Sequence, residues 1–212
     1  MRRALRPSAL LSAALLAAAC GGGEPPPSPD QGTDAAPDAG AVPVPAAPQS
    51  TFWAALEAMC GQAFEGRVTE NVPPDPAYGD RVLTMHVREC AADEIRVPFH
   101  VEENRSRTWV FTRTAEGLRL KHDHRHEDGT EDALTWYGGD TRAAGTAERQ
   151  EFHADVQTVA LVPEAATNIW TVEIVPGERF TYALRREGTE RRFRADFDLT
   201  RPVAPPPAPW GH

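Results

Sequence analysis

Between Arg81 and Leu199 one local pattern recurs: short segments of at most ten residues, rich in Val, Ile, Thr, Phe and Trp, each closed by Gly, Pro, Asn or Asp. The segments are Arg81–Cys90, Glu94–Val101, Arg107–Arg113, Gly117–His126, Ala133–Tyr137, Gln157–Val162, Ile169–Val175, Arg179–Arg186 and Arg191–Leu199. Segments of this length, with β-branched and aromatic side chains, read as strands. Asp128-Gly129, Gly138-Gly139-Asp140 and Pro176-Gly177 read as turns, because glycine reaches positive φ without steric cost. No longer internal repeat organises the series.

Ahead of the strands, Ser50 or Thr51 is placed to cap a short helix carrying Phe52, Leu56 and Met59 on one face, with Trp53 and Ala55 beside them; Gly61 ends it. A short helix followed by eight to ten meandering strands predicts an all-β, up-and-down antiparallel barrel over residues 51–203. A two-sheet β-sandwich is the alternative. About 150 residues suffice for one domain with its own core. In layout, residues 52–200 resemble the calycin group, the lipocalins and their relatives, and the resemblance implies a barrel that holds a small apolar or amphipathic ligand. The lipocalin Gly-x-Trp signature is absent; Gly61-Gln62-Ala63 and Phe64-Glu65-Gly66 are its nearest counterparts. Residues 67–200 also resemble exported bacterial proteins of no assigned activity, a comparison that brings no chemistry with it.

Strand alternation sorts the candidate site residues into faces. His122, His124 and His126 share a face with Leu118 and Leu120, while Arg119, Lys121, Asp123 and Arg125 take the other. If Thr114 to Gly117 form the loop, Arg113 faces Leu118, Phe111 faces Leu120, Trp109 faces His122 and Arg107 faces His124. An apolar patch then grades through Trp109 into histidines towards one end, which makes Trp109 and Phe111 candidate ligand-binding residues. Imidazoles about 7 Å apart on one strand face can converge on zinc or copper, so His122, His124 and His126 form a candidate metal set. The competing reading is a row of partly exposed histidines whose protonation the acidic turn Glu127-Asp128 and Glu131-Asp132 raises. His86 shares a face with Thr84 and Arg88, and His100 with Arg96 and Glu102, opposite apolar faces made by Leu83, Met85 and Val87 and by Ile95, Val97, Phe99 and Val101. His86 and His100 therefore either line a ligand cavity or face solvent. Trp53, Trp109, Trp136 and Trp170 read as core or barrel-lining residues.

The N-terminus follows a separate logic. Arg2, Arg3 and Arg6 precede an apolar run from Ala9 to Ala19, 11 residues long, well short of the roughly 20 that a membrane-spanning helix needs. Residues 1–19 are therefore predicted to be an export signal peptide. Leu16-Ala17-Ala18-Ala19-Cys20 resembles the lipobox of bacterial lipoproteins, which implies lipidation of Cys20 and membrane attachment through that lipid. Ala17 stands where the family usually has Leu, and cleavage by the general signal peptidase at Ala-x-Ala is the alternative processing. Gly21 after the cysteine resembles the sorting pattern for the outer membrane of two-membrane bacteria. Residues 21–50 hold 8 Pro, 5 Gly and no Lys, Arg or aromatic residue, so 20–50 reads as a disordered tether. Residues 204–212 read as a short Pro-rich tail from which Trp210 can dock back.

With Cys20 given to lipid, Cys60 and Cys90 remain as a pair in an oxidising compartment. A bridge between them closes a loop of about 30 residues and contributes about 3–4 kcal/mol on the chain-entropy treatment. Two buried thiols are the alternative, and no CxxC spacing suggests a metal pair. The formal charge is −9, and removal of Arg2, Arg3 and Arg6 takes it to −12. No basic stripe is left to neutralise a phosphate backbone, which excludes nucleic acid as an expected partner. Gly-x-Ser-x-Gly, HExxH and phosphate-cradling glycine loops are absent, and Asp128-Gly129-Thr130-Glu131-Asp132 fails the EF-hand spacing. The expectation is a non-catalytic, lipid-anchored envelope protein that binds or presents a small ligand. Its competitors are a protein-interaction module with a filled core and a metalloenzyme built on His122 and His124.

Overall fold

The computed structural model describes residues 46–212; the expected signal peptide, Cys20 and the tether up to residue 45 lie outside the described residues. Helix α1 (Ala47–Glu57) comes first. It starts at Ala47 rather than at Ser50 or Thr51, because Pro48 pre-sets the first turn and the Gln49 Oε1 accepts the Ala46 N–H at 3.2 Å. Eleven strands follow: β1 (Ala63–Val72), β2 (Leu83–His86), β3 (Glu89–Cys90), β4 (Glu94–Val101), β5 (Asn104–Thr114), β6 (Gly117–His124), β7 (Tyr137–Thr141), β8 (Arg149–Ala154), β9 (Asn168–Val175), β10 (Arg179–Arg186) and β11 (Arg192–Val203). A second helix, α2 (Val156–Leu161), lies between β8 and β9.

Every neighbouring pair is antiparallel, and the order runs β1, β2, β4, β5 and onward to β11, which returns to β1 at Ala63↔Val203. The pairing Leu83↔Val101 between β2 and β4 closes the ring, so ten strands form a barrel and β3 extends the β4 edge. The up-and-down barrel expected from the sequence is the observed fold, and the sandwich is not formed. The β5–β6 hairpin takes the expected register, with Trp109↔His122 and Arg107↔His124. The Cys60–Cys90 disulfide joins the chain just past α1 to β3.

Four local expectations are corrected. Gln157–Val162 is largely helix, because the Asp155 carboxylate accepts the Thr158 N–H at 2.8 Å and caps α2. Gly138-Gly139 lies inside β7 rather than in a turn. A Cβ on Gly139 would meet the His153 carbonyl at 1.6 Å, and the Thr158 hydroxyl bonds both the Gly138 N–H and its carbonyl at 2.7 Å. Ala133–Tyr137 joins the barrel only at Tyr137, and β1 and β8 lie where no strand was expected. Each of those two strands carries little apolar signal: Gly66 in β1 makes room for the Phe197 ring, and Phe152 is the one large apolar residue of β8.

Alternation sends Leu83, Met85, Ile95, Val97, Phe99, Trp109, Phe111, Leu120, Phe180 and Phe197 into the barrel. Phe99 stacks on Trp109 at 4.7 Å and Tyr182 stacks on it at 4.5 Å, so the middle of the barrel is filled. Helix α1 covers one end with Phe52, Trp53 and Leu56, all essentially fully buried. Gln49 Nε2 fixes it to Thr141 Oγ1 at 2.9 Å, and the Arg113 guanidinium lies 4.7 Å from the Trp53 ring. Outside, Lys121 on β6 is buried against Asp155 at 2.5 Å and Gln157 at 3.0 Å, which holds α2 to the wall.

Candidate functional site

The end opposite α1 is open. There the rims of β1, β6, β7, β9, β10 and β11 enclose a cavity of about 480 Å³, within the range of small-molecule sites. Its lining includes Tyr78, Tyr137 and Tyr182, which are all the tyrosines the chain has. Trp170, Leu184 and Phe193 supply apolar wall, and Arg186, Arg191 and Arg192 share the rim with Asp75, Asp132 and Glu164. Tyr78 comes from the segment after β1 and tilts against Phe193 at 4.7 Å, so that segment forms one side of the mouth.

The floor is a hydrogen-bonded set around His122. Its Nδ1 lies 3.1 Å from the Tyr137 carbonyl and its Nε2 lies 2.7 Å from the Tyr182 hydroxyl. A carbonyl only accepts, so Nδ1 carries the proton and Nε2 accepts the Tyr182 O–H. The imidazole stacks on the Tyr137 ring at 4.5 Å, and the Tyr137 hydroxyl bonds His124 Nε2 at 3.1 Å. Burial, reinforced by His124, pushes the His122 pKa down to about 3. Burial and the Arg107 guanidinium bring His124 down to about 4, although Asp132 and Asp123 pull it up. Both histidines are neutral at pH 7, which corrects the expectation that the acidic turn raises their protonation. Burial likewise lifts Tyr137 and Tyr182 well above the usual phenol range, so neither is a phenolate nucleophile.

The expected metal set does not assemble. His122 has both ring nitrogens engaged, and His126 leaves the strand to form an exposed turn with its N–H on the Thr130 carbonyl at 2.8 Å. Among the described residues no three His, Cys, Asp or Glu side chains are grouped to hold a metal ion. Trp109 and Phe111 are sealed inside the barrel; Trp109 underlies the mouth through its stack on Tyr182, whereas Phe111 packs against Phe152. His86 and His100 alternate with core residues and so face outward, away from the mouth. His100 is nonetheless buried, with its pKa lowered to about 4 by burial and Arg105. The tail returns to the barrel: Val203 pairs with Ala63, which also pairs with His86, and further along the Ala208 carbonyl accepts a hydrogen bond from Arg105 of β5 at 2.9 Å. The Trp210 N–H donates to the Arg105 carbonyl at 3.1 Å and His212 Nε2 lies 3.2 Å from the buried Asp123 carboxylate. Trp136 is also outside the core, under the Arg96 guanidinium at 5.9 Å.

A groove of about 560 Å³ runs along the outer wall of β1 and β11, lined mainly by charged residues such as Glu65, Arg67, Asp80 and Asp198. It offers no aromatic surface, and Arg81 and Arg201 there are already paired with Glu102 and Asp198. The mouth is the better candidate for a ligand, and sequence reasoning missed its key residues. Tyr78, Tyr137 and Tyr182 are far apart in the chain, and only closure of the ring gathers them. The one legible signal was the register that sets Arg107 opposite His124. Neither a family model nor a curated protein nor a solved structure matches the chain.

Proposed function

We propose that the protein is exported, anchored through lipidated Cys20 in the cell envelope at the outer membrane, and binds a small amphipathic ligand in the open end of its barrel without chemical conversion. The observation that carries this reading is the mouth itself, where the chain's three tyrosines, Trp170 and Phe193 surround about 480 Å³ above a packed floor. Aromatic walls with polar tips suit a ligand that is apolar along its body and polar at one end. Trp109, stacked under Tyr182, limits the depth of entry, so the ligand is short or only partly swallowed. The neutral, hydrogen-bonded His122 is suited to fixing Tyr182 rather than to moving protons. The filled middle of the barrel also favours a second reading, an interaction module that uses the mouth as a surface for a protein side chain.

Native mass spectrometry of the protein extracted from its own envelope tests the binding claim. A stoichiometric small-molecule adduct in the wild type, lost in Phe193→Ala, is expected; a bare polypeptide in both sinks it. Cys20→Ser should move the protein from the membrane pellet to the soluble fraction, and an unchanged pellet refutes the anchor.

A further inference from the structure

Many arginines of this protein are paired with carboxylates, although Arg67, Arg105, Arg113 and Arg142, away from the mouth, have none within 4.0 Å among the described residues. On the outer wall many are paired: Arg96 with Glu94 at 2.8 Å, Arg119 with Asp140 at 2.6 Å, Arg125 with Asp123 at 2.8 Å, Arg185 with Glu151 at 2.8 Å and Arg194 with Asp196 at 2.9 Å. Of the arginines that line the mouth, Arg186, Arg191 and Arg192 have no carboxylate within 4.0 Å among the described residues, and neither has Arg107, which stands beside the lining rather than in it. Arg107 is half-buried on the inward face of β5, the face of Trp109, and its guanidinium lies 5.7 Å from the Tyr78 ring centroid. Its other partners are neutral, Ser106 Oγ at 3.1 Å and Asn104 Oδ1 at 3.4 Å. Arg186, also half-buried, donates to Asn168 Oδ1 at 2.8 Å, and exposed Arg191 stands at the lip.

We infer, resting on the mouth-binding reading above, that the ligand is an amphiphile with an anionic head, carboxylate or sulfonate-like in charge and geometry, held by Arg186 and Arg191 while its apolar body lies against Trp170 and Phe193. A partly buried guanidinium without a counter-ion carries an uncompensated desolvation cost, and an anionic head relieves it with charge-assisted, fork-shaped hydrogen bonds. The rim carboxylates do not compete on equal terms. Asp75 Oδ1 accepts the Ala77 N–H at 2.9 Å and Asp132 Oδ1 accepts the Leu134 N–H at 2.8 Å, so both serve their own turns. Glu164 is exposed to water.

Two fluorescent probes share one apolar skeleton and differ in the head: 8-anilinonaphthalene-1-sulfonate is an anion and N-phenyl-1-naphthylamine is neutral. They are titrated into the full chain carrying Cys20→Ser, so that no detergent competes. The anion is expected to bind at least about 10-fold more tightly than the neutral probe, the scale of one charged hydrogen bond. The pair Arg186→Gln and Arg191→Gln should erase that preference and leave the neutral probe's affinity as it was. Arg191→Gln alone, at an exposed position, gives the same direction should the double variant lose its fold. Equal affinities in the wild type, or a preference that survives both variants, overturn the anionic head. If Phe193→Ala still weakens both probes in that case, the mouth remains the binding site. Binding of neither probe, or binding indifferent to Phe193→Ala, overturns the mouth reading and this inference together.

Discussion

The two ends of the barrel are built from the same strands and solve opposite problems. At the α1 end, Phe52, Trp53 and Leu56 fill the opening and the disulfide pins the chain behind them. Beside the plug the described residues leave a polar hollow of about 360 Å³ lined by Gln49, Glu116, Thr141 and Arg142, with no aromatic wall. At the other end the inward positions carry Tyr137, Tyr182, His124 and Arg107 in place of Leu, Ile and Val, and no described residue covers the opening. Burying a large apolar side chain contributes about 1.5–3 kcal/mol, so the closed end concentrates stability. The open end holds partly buried polar groups that contribute less to folding and are available to a partner. Stability and recognition are thus separated along the barrel axis.

The sharpest way to break this division is to empty the plug. Phe52→Ala should cost about 3–5 kcal/mol in urea unfolding, as for other fully buried aromatic residues, whereas Phe193→Ala at the mouth should cost less than half as much. Equal costs would refute the contrast. Next, replacing Cys60 and Cys90 by serine should remove about 2–5 kcal/mol while leaving probe binding at the mouth intact. Acid should act through the floor of the mouth. The unfolded chain protonates His122 near pH 6.5, but the folded protein does so only near 3. Stability is therefore full above pH 6.5 and falls by about 1.4 kcal/mol per pH unit for that group as pH drops towards the folded value. His124 and His100, both lowered to about 4, add to the slope. His122→Gln should flatten the dependence of unfolding free energy between pH 6.5 and 5 by about one proton. Tyr182→Phe orphans His122 Nε2 and should cost about 1–3 kcal/mol. The smallest effect belongs to Arg191→Gln, expected to stay within about 0.5 kcal/mol in stability; a larger loss would mean that the lip also supports the fold.

Strands are legible in this sequence in proportion to how strongly each segment alternates. The β5–β6 hairpin was legible to the residue, because only one register sets Phe111 against Leu120 and keeps the apolar faces together. Strands β1 and β8 were not, since Gly66 and Gln150 stand where an apolar residue would have completed the stripe. Gln157–Val162 looked like a strand because the cap that makes it a helix is a single carboxylate outside the segment. Gly138-Gly139 looked like a turn because the sequence does not display the close approach of a neighbouring strand.

The sequence by itself favoured the barrel over a sandwich, the observed hairpin register, and a Cys60–Cys90 bridge over two buried thiols, because each depends on short-range alternation or on a choice among few candidates. Only the tertiary structure decided which end is open, and that both ring nitrogens of His122 are hydrogen-bonded, to the Tyr137 carbonyl and the Tyr182 hydroxyl. It also decided that Tyr78, Tyr137 and Tyr182 share one mouth with unpaired arginines. Those properties belong to ring closure: the strand ends that meet at the rim are separated along the chain by turns, a helix and tens of residues. Local patterning fixes which face a side chain takes, and closure alone fixes which other side chains it meets there.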